Sequence, residues 1–343
     1  MAEAPFDIFA GMSKVPELAV ANARALDSEL RVATRPFIVR GLVADWPLVK
    51  AGKVSGRAAR EYLLSLREDR PFVVSIGPAD EEGRLFYKDD MSMNVRTGST
   101  GLPDIFRQID AAENRDAQPI IYLASIDMKT FFSGLHEANY VDLGERQALA
   151  SIWMGTRSRI AAHNDFPDNL ACVAVGRRRF TLFPPEQFRN LYLGPIDNTP
   201  AGRAVSMVDF HAPDFERYPR FREALDAAQV AELEPGDAVF IPSMWWHHVE
   251  GRDPFNVLVN YWWRDTPRHL GQPQEALNHA IMAIRDLPPA QKQHWRALFE
   301  HYVFENGDDV AAHIPEEARS VLGPMTPQNA GKIRSFLLRA LSQ

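Results

Sequence analysis

Short apolar runs rich in β-branched residues fill the middle of this chain, and amphipathic runs of helical period flank them. PFVVSIG (71–77) and PIIYLASI (119–126) read as buried strands, because short, bounded runs of Val and Ile suit a pleated sheet. SIWMG (151–155), LACVAV (170–175), RRRFTLF (177–183), GDAVFIP (236–242) and NVLVNYWW (256–263) continue the series. Gly176 and Arg177, between LACVAV and the rest of the arginine run, predict a tight hairpin turn. RPFIVRG (35–41) is short and β-like, Pro47 follows Trp46 in a loop, and the proline-rich stretch 184–230 predicts a long loop region. Short strands with long, varied connections predict an all-β sandwich or barrel.

Helical period marks both ends. Residues 15–30 and 56–66 predict N-terminal helices. After Pro267 the character changes, with helical patterns at 268–285, 289–303 and 327–342 and breaks at Pro288, Pro289 and Pro324. In the last helix Ile333, Phe336, Leu337, Ala340 and Leu341 share one stripe. The expected organisation is a β domain with N-terminal helices over 1–265 and a helical subdomain over 266–343. The apolar stripe at the end suits packing on its own core or on a second subunit, and a homodimer through these helices is expected.

Composition narrows the function classes. The chain has 343 residues, 45% of them hydrophobic, enough for a packed core. Its net charge of −7 has the wrong sign for a broad nucleic-acid surface. Cys172 is the only cysteine, so no intrachain disulfide forms, which fits a reducing compartment. A catalytic thiol is the sharp reading of Cys172, but its neighbours Ala171 and Val173 favour a small core residue. The first residues lack a basic stretch followed by an apolar one, and no apolar run approaches the ~20 residues that span a bilayer. A soluble cytoplasmic protein, with no membrane partner, is expected.

The candidate chemistry is a metal site. His163-Asn164-Asp165 places an imidazole and a carboxylate at i and i+2, which face the same way on extended backbone. Two His and one carboxylate make the facial triad of non-haem Fe(II) oxygenases, which leaves positions open for co-substrate and dioxygen. A second His must come from another strand. GDAVFIPSMWWHHVEG runs from a turn through an apolar strand into His247 and His248, and His247 lies 84 residues after His163. Adjacent residues on a strand face opposite ways, so at most one of the two binds the metal, and spacing alone does not choose. The other is expected in an outer layer or at the surface.

Several blocks, in one order from about 35 to 265, now carry a resemblance: RPFIVRGLVADWP, HNDFPDNLACVAVGRRRFTLFPPEQF, VDFHAPDFERYPRF, EPGDAVFIPSMWWHHVEG and NVLVNYWWRD. The chain resembles the JmjC-like cupin oxygenases of the cupin-8 type, and especially the branch of the asparaginyl hydroxylase that inhibits hypoxia-inducible factor. The resemblance implies a double-stranded β-helix, or jelly roll, a metal held by His163, Asp165 and His247, and Fe(II) with 2-oxoglutarate as co-substrate. It chooses His247 over His248, because the first histidine of the run is the family's ligand.

A 2-oxoglutarate site needs a cation for the distal carboxylate. Arg178 shares a strand face with Phe180 and Leu182, whereas Arg177 and Arg179 share the other with Thr181. An arginine sent inward must find an anion, since a buried unpaired charge is costly. A structural salt bridge to Asp or Glu is the lesser alternative to a co-substrate carboxylate. The resemblance places the family's basic anchor at Arg178, where lysine is frequent. It also assigns Tyr122 to the same carboxylate, and Asn169 and Asn260 to the wall around metal and co-substrate. Ile160 stands where many relatives carry a threonine that contacts 2-oxoglutarate. Trp245, Trp246, Trp262 and Trp263 flank the site, as channel walls or as ordinary packing.

The implied reaction couples decarboxylation of 2-oxoglutarate to hydroxylation of a substrate. A protein or peptide side chain is the expected substrate. A small molecule, a modified RNA base, or a cupin-like binding protein without catalysis are the rivals.

Overall fold

A computed structural model describes residues 8–9, 11–305, 307 and 310–342 of the chain. Two compact units divide it, residues 1–264 and 265–343.

The strands of the first unit are, in chain order, β1 (Ser13–Lys14), β2 (Phe37–Val39), β3 (Pro71–Gly77), β4 (Arg84–Leu85), β5 (Arg96–Gly101), β6 (Ile120–Asp127), β7 (Leu149–Gly155), β8 (Ser158–Asn164), β9 (Asp168–Val175), β10 (Arg178–Phe183), β11 (Gln229–Leu233), β12 (Ala238–Ile241), β13 (Trp246–Gly251) and β14 (Asn256–Trp263). They form a sheet of order β1-β11-β10-β13-β8-β4 and another of order β2-β12-β9-β14-β7-β6-β3-β5. Strands β7 to β14 are the jelly roll. Four of them, β8, β10, β11 and β13, lie in the first sheet, and β7, β9, β12 and β14 lie in the second.

This topology corrects the expected hairpin at Gly176 and Arg177. The turn is there, with Gly176 at φ 71°, but β9 and β10 do not pair. The chain crosses from one sheet to the other, so their inner faces oppose each other. A Cβ at Gly176 would sit 2.5 Å from Asn256 Oδ1, so the crossing needs glycine for space as well as conformation.

Layering explains why several strands read as unbroken apolar runs. Between the sheets lie Ala171, Val173, Phe180, Leu182, Val239 and Leu258. On the outer face of the larger sheet, Cys172, Ala174, Ile152 and Met154 pack under three helices, Pro47–Val54, Gly56–Leu66 and Leu102–Ala112. With both faces covered, β9 loses its alternation and is buried from Asn169 to Val175. Burial pushes the Cys172 thiol far above its usual range, as for an inert core residue.

Other expectations shift at the edges. The first helix runs Ala23–Val32, not from 15, because Asn22 caps it by accepting from the Ala25 N–H, while Val15 and Leu18 donate to Val230 and Ile38 carbonyls. Pro47 starts a helix instead of sitting in a loop, at the position where its missing N–H costs nothing. Strand β5, of sequence RTGSTG, was illegible: it is an exposed edge strand with no apolar pattern.

The second unit is helical, with helices Pro273–Ile284, Pro289–Phe299 and Pro327–Leu341. Among the described residues no helix is long and apolar enough to cross a membrane.

Candidate metal centre

His163 and His247 are direct neighbours across the β8–β13 pair, with ring centroids 4.4 Å apart. Their approach depends on an irregularity. Val249 pairs with Ile160 and His247 with His163, so Ala161 and Ala162 together oppose His248. Strict alternation would turn Ile160 and His163 to opposite faces; the extra residue returns both to the interior. His248 then faces out of the barrel.

Asp165 follows directly after β8, where its backbone carbonyl accepts from the Met244 N–H at 2.9 Å. Ser243 ties the same loop down, donating its Oγ–H to Phe166 O at 2.6 Å and its N–H to Asp168 Oδ1 at 2.8 Å. The three prospective donor atoms of His163, Asp165 and His247 all lie within 4.8 Å of one another, with His247 Nε2 3.6 Å from Asp165 Oδ2. Each imidazole is oriented from behind. His163 Nδ1 lies 2.9 Å from Ala161 O and His247 Nδ1 3.1 Å from Trp245 O. A carbonyl only accepts, so the proton sits on Nδ1 and the Nε2 lone pair is left for a metal. Burial, then the neighbouring His163, pulls His247 down to about 4, so it is neutral at physiological pH, as a ligand must be.

A cavity of about 430 Å³ opens from these residues into the barrel. Tyr122, Asn169, Arg178 and Asn260 all line it. Arg178 is 1% exposed, its Nε has no hydrogen-bond partner, and no ion pair among the described residues includes it. Burial lowers its pKa to about 10, so it is still a cation at neutral pH. Its neighbours in sequence point away: Arg177 pairs with Asp253 at 2.7 Å and Arg179 with Glu232 at 2.6 Å. The salt bridge that would have explained Arg178 structurally is therefore missing. Tyr122 is buried beside it, and that burial pushes its phenol up to about 12. Tyr122 therefore remains a donor. Gly155, paired with Tyr122, has no room for a side chain: a Cβ would lie 2.1 Å from Ile121 O. Asn260 donates to Asn169 Oδ1 at 2.7 Å, leaving its own Oδ1 buried without a partner.

Of the tryptophans near the motif, only Trp262 lines the cavity. Trp245 and Trp246 pack in separate core clusters, and Trp263 stacks on Phe240. Trp153, not singled out from the sequence, stands edge-on to Trp262 at 5.7 Å in the cavity wall, and its indole N–H lacks a partner. Ser75, Thr97 and Thr199 were also missed. The signal for Trp153 was its place between Ile152 and Met154, but which face looked inward was not readable. Ile160 lines the cavity, as an apolar surface.

His248 is buried, not superficial. It stacks on Phe210 at 4.4 Å, and its Nδ1 is 3.6 Å from Glu250 Oε1, too long for a hydrogen bond. Burial pulls this imidazole down to about 4. The folded pKa lies below the unfolded value near 6.5, so between these pH values the unfolded chain binds a proton that the folded chain excludes. Stability should therefore fall as pH drops from 6.5 towards 4, by at most about 3 kcal/mol per such imidazole. Urea titrations of metal-free protein across this window should show a shallower pH dependence for His248→Phe than for wild type. Parallel profiles would refute this account.

An eight-stranded jelly roll with two imidazoles and a carboxylate gathered inside it defines a cupin-type protein with a candidate metal centre. The chain belongs to the family of cupin-like domains, which matches residues 23–269. It is similar to lysine-specific demethylase JMJ31 of Arabidopsis thaliana, 36% identical over 134 residues, 37% of this chain and 24% of that protein. Lysine-specific demethylase 8 of Xenopus tropicalis is 26% identical over 258 residues, 73% of this chain and 52% of that protein. The tRNA wybutosine-synthesizing protein 5 of Gallus gallus is 36% identical over 105 residues, 31% of this chain and 30% of that protein. The chain thus spans about half or less of the length of these relatives.

Proposed function

We propose that this chain is an Fe(II)- and 2-oxoglutarate-dependent dioxygenase that hydroxylates a protein or peptide side chain. The observation that carries it is Arg178, a fully buried cation with no anionic partner among the described residues, in the same cavity as His163, Asp165 and His247. A buried charge of that kind calls for a ligand anion, and a dicarboxylate bound between it and a metal supplies one.

His163, Asp165 and His247 would hold the iron through two imidazole nitrogens and a carboxylate oxygen. Bound iron would supply dioxygen activation, with two electrons from the oxidative decarboxylation of the co-substrate. The chain's own residues do the rest. Arg178 binds the distal carboxylate with its planar fork, and Tyr122 donates to the same group. Asn169 and Asn260 hold each other against the wall. Leu85, Trp153, Ile160, Val249 and Leu258 exclude water. Formal charges balance: the dianionic co-substrate and Asp165 offset the divalent metal and Arg178.

Two relatives named as lysine-specific demethylases support a protein substrate, and the quoted motifs resemble those of the asparaginyl-hydroxylase branch. The test is succinate release from 2-oxoglutarate with and without Fe(II). Release that ignores iron would overturn the metal assignment, and none at all would leave a cupin-like binding protein.

We further assign the chain to the cytoplasm, with 1–265 as the catalytic domain and 266–343 as a helical subdomain that pairs two copies. On the last helix Phe336 and Leu341 are exposed by 63% and 57%, and Ile333 and Leu337 are half-buried. Light scattering at micromolar concentration should give twice the 38.7 kDa chain mass, and Phe336→Glu with Leu341→Glu should halve it. A wild-type monomer would sink the dimer.

A further inference from the structure

A second cation, Arg203, stands directly beside the segment that lines the cavity. Thr199, Pro200, Ala201 and Gly202 line the cavity, and Arg203 follows them. This rim is tethered: Tyr87 donates its hydroxyl to Asn198 O at 2.5 Å, Asn198 Nδ2 donates to Met91 O at 3.0 Å, and Gly194 N–H donates to Val205 O at 2.8 Å. The Arg203 guanidinium lies 3.7 Å over the ring of Phe166, the residue after Asp165. It makes no hydrogen bond or ion pair among the described residues. Among the described residues Asp165 is the only carboxylate lining the cavity; burial lowers the Arg203 pKa, and Asp165 partly offsets that.

The charge balance of the loaded site gives this placement a consequence. Metal, co-substrate, Asp165 and Arg178 sum to neutrality without Arg203. Once Asp165 is committed to a metal, Arg203 is a half-buried surplus cation at the mouth, on a chain whose net charge is −7. An aromatic face beneath the guanidinium fixes its plane and leaves its N–H edge free for a planar or tetrahedral anion. We infer that Arg203 is a substrate-specificity residue, recognising an acidic group on the peptide that enters the cavity mouth. This rests on the oxygenase reading above and narrows it to acidic peptide substrates. The anion is a side-chain carboxylate or a phosphate on such a peptide.

The test uses the full chain loaded with Mn(II) and 2-oxoglutarate. Calorimetry on wild type first reads 2-oxoglutarate binding; none would overturn the oxygenase reading and this inference with it. Two probes then follow, N-acetyl-aspartate methylamide by its protons and inorganic phosphate by its phosphorus, each observed through relaxation by the Mn(II). Wild type should give saturable enhancement with at least one probe, and which one responds tells carboxylate from phosphate. Arg203→Gln should raise that probe's apparent dissociation constant at least tenfold, Arg203→Lys should fall between, and Arg57→Gln, an exposed position on the helix over the outer face of the larger sheet, should match wild type. Enhancement absent in wild type, or equal in Arg203→Gln, would overturn the inference alone. Loss of Mn(II) from both Arg203 variants would also overturn it, and would make Arg203 a positioning residue for Asp165.

Discussion

Alanine in place of His163, Asp165 or His247 is expected to abolish 2-oxoglutarate turnover, one residue at a time, whereas His248→Ala still binds the metal. Each of the three supplies one donor to a cluster spanning 4.8 Å, and among the described residues no other carboxylate lines the cavity to replace Asp165. Disturbing only a ligand's hydrogen-bond partner costs roughly 10–100-fold in metal affinity or activity, so loss of a ligand itself should exceed that. His248 sits on the opposite face of β13, under Phe210. Its loss opens a cavity there and lowers stability, but it leaves the donors in place. Mn(II) titration and succinate release on the four variants are the measurement. A folded His248→Ala protein that binds no metal would overturn the assignment.

Arg178→Ala should weaken 2-oxoglutarate binding by roughly 2–5 kcal/mol, the cost of removing one partner of a buried charge pair. That is about 30-fold to several thousand-fold in dissociation constant. Metal binding should survive, because Arg178 is no part of the donor cluster. Arg178→Lys should be intermediate, since it keeps the charge and loses the fork. Arg177→Ala and Arg179→Ala should bind normally, because those side chains pair with Asp253 and Glu232. Stability should move the other way. Without co-substrate Arg178 is an unpaired buried cation, so Arg178→Met should be at least as stable as wild type. Titration calorimetry on Mn(II)-loaded protein and urea unfolding without ligand read both effects. If Arg179→Ala weakens binding more than Arg178→Ala, the pocket assignment fails.

The legible part of the site was local. H-x-D at two-residue spacing, and Arg178 in phase with Phe180 and Leu182, follow from the period of a strand, which needs no knowledge of neighbours. Runs of Val, Ile and Phe announced the strands β3, β6, β9, β10, β12 and β14 within a residue or two. The polar edge strand β5 gave no such signal, because an exposed edge buries little and needs no apolar pattern.

By itself, then, the order of residues determined a β-rich barrel, the motif set that carries the family, and which side chains share a strand face. Only the tertiary structure decided the rest. It made Gly176 a crossing between sheets instead of a hairpin, since strand pairing is a long-range choice that turn chemistry does not encode. It set Ala161 and Ala162 against His248, the bulge that returns His163 to the interior, because a bulge exists only relative to a partner strand 84 residues away. It left Arg178 without an acidic partner, brought Trp153 into the wall and stacked Arg203 on Phe166. These are properties of residues far apart in the chain, and the packing of the two sheets and of the loops that join them brings them together.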